Sequence, residues 1–193
     1  MKEARPEQIW TIPNVLTMIR LALIPLYWVL MVKGQTYQAL AVYVVASLTD
    51  LADGYIARKY RQITNFGKLM DPVADKVMVM SVMLSMVLPL GGREPVLPWA
   101  PFIILLSKEA LMILGGAFML KKGIVVYALK IGKIAQLIMV LSLIAAFFHE
   151  QFEAWGFPLH LYLLWTAVAL TLCALVFYAS DCVKKLREGS DAV

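Results

Sequence analysis

The stretch from Ala39 to Asp75 reads ALAVYVVASLTDLADGYIARKYRQITNFGKLMDPVAD, and it sets four aspartates beside long apolar segments. The four are Asp50, Asp53, Asp71 and Asp75. The first two close one apolar run, and the last two lie near the start of the next. An acidic side chain in a membrane-length helix is costly in free energy and usually functional. The stretch therefore predicts a membrane protein with a polar site at one end of two helices.

The composition of the whole chain supports a bilayer environment. The 193 residues are 61% hydrophobic, and the mean hydropathy is +0.75. Soluble domains are only about 45–50% apolar. The net charge of +5 is typical of a membrane protein with basic cytoplasmic loops. Nucleic-acid binding is not expected, because the sequence has no basic-aromatic motif of the known modules.

Six apolar segments have about the 20 residues that a spanning helix needs. They cover residues 13–32, 37–57, 69–90, 98–120, 125–148 and 158–183. The predicted fold is an all-α integral membrane protein with six transmembrane helices in one domain, residues 1–193. We expect residues 1–12 to form a short juxtamembrane segment on the headgroups. Residues 13–186 would form the six-helix bundle, and residues 187–193 a cytoplasmic tail.

Basic residues gather at alternate connectors, which predicts the orientation in the membrane. Lysines and arginines flank the second and fourth connectors, precede the first helix and follow the last. The positive-inside rule places these regions in the cytoplasm. We therefore expect a multi-pass protein of the cell membrane, with both termini and the aspartates on the cytoplasmic side.

The spacing of the aspartates predicts that they converge. Asp50 and Asp53 are three residues apart, and Asp71 and Asp75 are four apart, so each pair shares a helical face. A tight turn at residues 65–67 would make the two helices antiparallel neighbours. The two pairs would then point at one another at a similar depth.

Four converging carboxylates need a cation, because without one they would repel and largely become protonated. Oxygen ligands suit Mg²⁺, Mn²⁺ or Ca²⁺ rather than zinc. Four carboxylates could hold two ions about 3.5–4 Å apart, as in phosphoryl chemistry. Gly54 leaves room for a ligand, and Arg58 could neutralise a diphosphate. Helix capping or interhelical contacts could explain one aspartate. They do not explain four in paired spacing beside these two residues.

The stretch resembles the signature of a known family. Residues 50–75 fit D-x2-D-G-x2-A-R-x8-G-x3-D-x3-D at every fixed position, and this pattern is similar to that of the CDP-alcohol phosphotransferases. The resemblance implies six transmembrane helices, a homodimer and two divalent ions, Mg²⁺ or Mn²⁺. It also implies a CDP-linked donor, commonly CDP-diacylglycerol. An alcohol attacks the phosphorus that bears the lipid, and CMP leaves.

The resemblance also implies roles for individual residues. Asp50, Asp53 and Asp71 would be metal ligands, and Asp75 would be both a ligand and the catalytic general base. Residues 13–20 look like the P-N-x-L-T-x-x-R start of the first helix in the branches that make phosphatidylglycerophosphate and cardiolipin. The residues expected to bind the CDP-linked lipid are Asn14, Gly54, Arg58, Thr64 and Gly67. Asn14 has an alternative interpretation as a residue that only begins the helix.

The acceptor alcohol is predicted from basic residues in the later helices. Lys108, Lys130 and Lys133 are candidates to bind the phosphate of glycerol 3-phosphate. Gly132-Lys133 resembles the G-K element of phosphatidylglycerophosphate synthases. Those enzymes usually have Arg-Glu where this chain has Lys108-Glu109, and Thr where it has Ala135. Membrane topology and attraction to anionic lipids are the alternative explanation for Lys130 and Lys133.

The leading hypothesis is a phospholipid-biosynthetic enzyme that transfers the phosphatidyl group of CDP-diacylglycerol to glycerol 3-phosphate, giving phosphatidylglycerophosphate and CMP. The first alternative is a cardiolipin synthase of the same family, with phosphatidylglycerol as acceptor. A different class is an ion-coupled membrane transporter that uses the carboxylates as a relay. The transporter leaves the spacing of Gly54, Arg58 and Gly67 unexplained.

Overall fold

The structure is a computed structural model, and it describes residues 11–59, 65–122 and 130–190. Side chains are described except at positions 12–13, 50–59, 65–69, 130 and 187–190. Within these limits every regular element is an α-helix. The helices are α1 (Ile12–Val32), α2 (Thr36–Lys59), α3 (Asn65–Val87), α4 (Trp99–Lys121), α5 (Lys130–Ala146), α6 (His149–Ala154) and α7 (Leu159–Ser190). The all-α prediction is confirmed.

Six long helices correspond to the six predicted apolar segments, with two differences. The prediction of a tight turn at residues 65–67 is wrong, because α3 already begins at Asn65. The α2–α3 connection thus falls at residues 60–64, outside the described residues. The second difference is α6, a short helix in the connector between the last two long helices.

Within the described residues, three helices are long and apolar enough to cross a membrane: Asn14–Val32, Trp99–Lys121 and Leu159–Leu186. Two shorter apolar helices cover Thr36–Thr49 and Ile131–Ala146. The apolar part of α2 ends just before Asp50, and α3 carries Asp71 and Asp75. Asp50 thus directly follows an apolar helical segment, and Asp71 and Asp75 lie in the first half of α3.

The first compact unit, Met1–Val96, contains α1, α2 and α3. The N-terminus of α1 is capped by Thr11, whose side chain accepts from the backbone N–H of Asn14. Helix α1 packs against both α2 and α3. Tyr27, Tyr43 and Met83, one from each helix, are fully buried in the unit. The unit therefore has a core in which α1 is the central helix.

The second compact unit, Leu97–Val193, contains α4 to α7. Helix α7 packs mainly on α5 and also contacts α4 and α6. The interface of α5 and α7 buries Leu143 and Leu164 completely. It also contains a hydrogen bond of 2.8 Å from the Ser142 hydroxyl to the backbone oxygen of His160.

Candidate active site

Two of the four aspartates lie one helical turn apart on α3. Asp71 is half-buried, and the side chain of Asp75 is 22% exposed. The intervening Ala74 is fully buried, so this part of α3 faces the inside of the first unit. Carboxylates here are shielded from solvent on one side and need polar partners from a neighbouring helix.

Helix α1 supplies those partners from a polar face. Asn14, Thr17 and Arg20 recur every three residues and are only 2%, 1% and 1% exposed. The Thr17 hydroxyl donates to Asp71 Oδ1. Arg20 Nη1 donates to Asp75 Oδ1 at 3.0 Å and forms an ion pair with it. Each described aspartate of the motif is thus bonded to a buried side chain of the first helix.

The other residues of the motif belong mainly to α2. Positions 50, 53, 54 and 58 all lie within α2, which continues to Lys59. Their side chains fall outside the described ones. Gly67 lies in the first turn of α3, and Thr64 lies outside the described residues. The helical spacing of both aspartate pairs is confirmed. The expectation that the pairs point at one another stays a prediction.

The described carboxylates suit a hard divalent cation. Among the described side chains, no group of three or more His, Cys, Asp or Glu could hold a metal ion. The side chains of Asp50 and Asp53 are not among the described ones. Asp71 and Asp75 offer oxygen donors, which suit Mg²⁺ or Mn²⁺ better than zinc. Each is also held by an outer hydrogen-bond donor, as metal-binding carboxylates usually are. The described half of the predicted ligand set therefore fits the expected ions.

The position of Asn14 in α1 bears on whether this residue only begins the helix. Thr11 caps α1, and the backbone N–H of Asn14 donates to its hydroxyl at 3.4 Å. Asn14 is therefore not the capping residue. Its side chain is buried on the same face as Thr17 and Arg20, which is the side of α1 that meets α3. Binding of the CDP-linked lipid by Asn14 stays a prediction.

The predicted acceptor residues lie in the second unit. Lys108 of α4 forms an ion pair of 2.5 Å with the adjacent Glu109, and both side chains are less than one-fifth exposed. Lys133 is exposed near the start of α5. The backbone of Lys130 begins α5, and its side chain is outside the described ones. Their role in binding an acceptor stays a prediction.

The sequence places Thr17 and Arg20 in the P-N-x-L-T-x-x-R pattern but predicts no role for either residue in the site. Of the residues in that pattern, only Asn14 is a predicted binding residue. The available signal was the interval of three residues between Asn14, Thr17 and Arg20, which puts them on one side of the helix. An arginine inside a membrane-length apolar helix is itself a reason to search for an acidic partner.

An all-α membrane protein with aspartate pairs on two successive helices has the oxygen ligands that metal-assisted phosphoryl transfer uses. Comparison with known proteins identifies the family. The sequence model of the CDP-alcohol phosphatidyltransferases matches residues 10–173. The chain belongs to this family of membrane transferases.

Relatives within the family point to particular reactions. A CDP-diacylglycerol–glycerol-3-phosphate 3-phosphatidyltransferase of Bacillus subtilis is 31% identical over 197 residues, covering 94% of this chain and 100% of its own length. An Aquifex aeolicus protein of the same name is 33% identical over 134 residues, covering 69% and 74% of the two chains. A CMP-forming cardiolipin synthase of Streptomyces coelicolor is 34% identical over 113 residues, covering 55% of this chain and 50% of its own.

Proposed function

We propose that this protein transfers the phosphatidyl group of CDP-diacylglycerol to glycerol 3-phosphate, forming phosphatidylglycerophosphate and CMP. The observation that carries the transferase chemistry is the pair of half-buried carboxylates, Asp71 and Asp75, bonded to α1 within the family motif. The choice of acceptor is supported by the Bacillus subtilis relative, which is similar along its full length. The reaction belongs to phospholipid biosynthesis.

The aspartates would hold the divalent ions. The proposed ligands are Asp50, Asp53, Asp71 and Asp75, with two Mg²⁺ or Mn²⁺ ions. When bound, such ions neutralise the diphosphate and polarise the phosphoryl group. The proposed contacts to the CDP-linked lipid come from Asn14, Gly54, Arg58, Thr64 and Gly67. The Arg58 guanidinium would bind phosphate oxygens, and Gly54 leaves space for the cytidine.

Asp75 is the proposed general base. Its carboxylate would accept the proton of the attacking hydroxyl while the new oxygen–phosphorus bond forms. The bond from that phosphorus to the CMP oxygen breaks, and CMP leaves with the electron pair. A carboxylate is a weak base, but it needs to accept the proton only as the bond forms. Lys108, Lys130 and Lys133 would bind the phosphate of the acceptor.

We further propose how the protein sits in the cell membrane. The six long helices cross the bilayer, with residues 1–12 on the membrane surface, residues 13–186 in the bundle and residues 187–193 in a tail. Both termini and the aspartates are cytoplasmic, in accord with the basic connectors. The protein acts as a homodimer surrounded by membrane lipids, as the family resemblance implies.

A cardiolipin synthase is the second candidate, because the Streptomyces coelicolor relative carries that name. It would use phosphatidylglycerol as acceptor and also release CMP. The ion-coupled transporter predicts ion flux without release of CMP, and membership of a transferase family argues against it.

Release of CMP tests the reaction class. Purified protein in detergent, with CDP-diacylglycerol and Mg²⁺, should release CMP when glycerol 3-phosphate is added. The Asp71→Asn variant should release far less, because it loses one proposed metal ligand. Wild-type protein that releases no CMP with either acceptor would contradict the proposal. Ion flux in liposomes under the same conditions would favour the transporter.

A further inference from the structure

Thr17 and Arg20, on the polar face of α1, have no part in the chemistry proposed above, yet they contact two of its central residues, Asp71 and Asp75. We propose that Thr17 and Arg20 are positioning residues, which hold the carboxylates of Asp71 and Asp75 in the orientation that phosphoryl transfer requires. The inference rests on the proposed function. It gives two more residues of the first helix, beside Asn14, a role in a site whose aspartate motif lies in α2, α3 and the connection between them.

The burial of Arg20 indicates that its contact with Asp75 is not incidental. Arg20 is 1% exposed in a helix otherwise rich in Leu, Ile and Met. A charged side chain in such a place is costly in free energy unless an opposite charge and hydrogen bonds compensate it. Asp75 supplies that charge at 3.0 Å. Apolar residues of similar size usually stabilise a fold as well as a buried ion pair does, so stability alone does not account for Arg20.

The register of the contacts shows how α1 constrains α3. Thr17 meets Asp71 and Arg20 meets Asp75. Further along the same interface, Tyr27 meets Ser85. The partners increase together in sequence number, so α1 and α3 run in the same direction. Two contacts to neighbouring turns fix both the rotation and the height of α3 against α1 at the aspartates.

Both contacts to the aspartates use the Oδ1 atom. A donor fixed to one carboxylate oxygen sets the plane of the carboxylate and hence the direction of the second oxygen. Such outer contacts orient metal-binding carboxylates, and their loss usually costs 10–100-fold in metal affinity or activity. Thr17 and Arg20 would act in this way on two ligands at once.

The same interface provides a matched control at Tyr27. The Ser85 hydroxyl donates to the Val82 backbone oxygen at 2.7 Å, so Tyr27 is the donor in its 2.6 Å bond to Ser85. Tyr27 is fully buried and lies about 10 Å beyond Arg20 along α1. Tyr27→Phe therefore removes a buried α1–α3 hydrogen bond without touching either aspartate.

The test compares five variants for folding, turnover and Mn²⁺ binding by electron paramagnetic resonance. They are Thr17→Val, Thr17→Ser, Arg20→Met, Arg20→Lys and Tyr27→Phe. Thr17→Val and Arg20→Met should lower kcat by about 10–100-fold and leave the KM for CDP-diacylglycerol nearly unchanged. Thr17→Ser and Arg20→Lys, which keep a donor, should recover much of the loss. Thr17→Val should weaken Mn²⁺ binding by about tenfold, whereas Thr17→Ser and Tyr27→Phe should not.

If Arg20→Met fails to fold, Thr17→Val still tests the positioning inference, because valine has nearly the shape of threonine. Folded Thr17→Val with wild-type kcat and Mn²⁺ affinity would overturn the inference. Equal losses in Thr17→Val and Tyr27→Phe would also overturn it, since they would show a general effect of weakened packing. If the wild-type protein formed no phosphatidyl product, the proposed function would fail. The Mn²⁺ comparison of Thr17→Val with Thr17→Ser would still test the positioning of Asp71.

Discussion

Arg20 of α1 donates from Nη1 to Asp75 Oδ1 of α3 at 3.0 Å, and the arginine is almost completely buried. The contact ties the first helix to the last residue of the family motif. It sets a positive charge beside the proposed general base and on the side of α3 that faces α1. The proposed site therefore involves three helices of the first unit, whereas the aspartate motif lies on two of them, α2 and α3.

Replacing the proposed base should separate chemistry from binding. Asp75→Asn keeps an oxygen that Arg20 can bond but removes the proton acceptor. We expect kcat to fall by about 100-fold or more, with binding of CDP-diacylglycerol largely retained. Single-turnover release of CMP and equilibrium binding of the lipid would measure the two effects.

Asp181→Asn is the matched control for this change. Asp181 lies on α7, has a side chain that is 42% exposed, and pairs with Lys185 at 3.1 Å. An exposed i,i+4 pair contributes only about 0.3–0.5 kcal/mol, so turnover should not change. An Asp75→Asn enzyme with the activity of Asp181→Asn would exclude Asp75 as the base.

The acceptor pocket can be tested at Lys133, the exposed lysine that follows Gly132 on α5. Lys133→Ala should raise the KM for glycerol 3-phosphate about tenfold or more, because a hydrogen bond to a charged group contributes about 1.5–3 kcal/mol. The KM for CDP-diacylglycerol should hardly move. Steady-state kinetics with each substrate varied in turn would show the difference.

Lys121→Ala controls for the loss of a positive charge. Lys121 lies in the last turn of α4, in the same basic connector region as Lys133. If both variants raised the KM for glycerol 3-phosphate equally, the positive charge of the connector region as a whole would explain the effect. Lys133 would then have no specific role in the pocket.

The sequence predicted the fold class and the six long helices because apolar length is a strong signal in a membrane protein. Helix ends were less predictable. Asn65, Phe66 and Gly67 have turn-like composition, yet they begin α3, since local preference does not decide where a helix starts. The aspartates were found because charges stand out in apolar helices. The P-N-x-L-T-x-x-R pattern alone predicted no role for Thr17 or Arg20, because their contacts are with α3, more than 50 residues away.

The turn at Gly91 and Gly92, close to the end of α1, gives a prediction about stability. Gly91 and Gly92 both have positive φ, +59° and +77°. A Cβ at Gly91 would lie 2.4 Å from the Met31 backbone oxygen, while a Cβ at Gly92 would meet nothing within 4 Å. Gly92→Ala should therefore cost only the backbone strain, about 1–2 kcal/mol. Gly91→Ala should cost clearly more.

Thermal unfolding of both variants in the same detergent would measure this difference. Each kcal/mol corresponds to a shift of about 2–4 °C in Tm for a chain of this size. Equal Tm values for the two variants would contradict the close approach of Gly91 to the end of α1.

Metal removal tests the chemistry of the ligand set. Treatment with a chelator should abolish turnover, because four carboxylates without ions would repel each other and the diphosphate. Mg²⁺ or Mn²⁺ should restore it, whereas Zn²⁺ should restore little, since the proposed donors are all oxygen. Full activity after exhaustive chelation, verified by elemental analysis, would exclude the metal site.

The proposed reaction is tested most directly by a panel of labelled acceptors with the products identified. Wild-type protein would be given CDP-diacylglycerol, Mg²⁺ and either radiolabelled glycerol 3-phosphate or radiolabelled phosphatidylglycerol. We predict labelled phosphatidylglycerophosphate from the first, with one CMP released per product, and no cardiolipin from the second. Product formed only from phosphatidylglycerol would contradict it and identify a cardiolipin synthase.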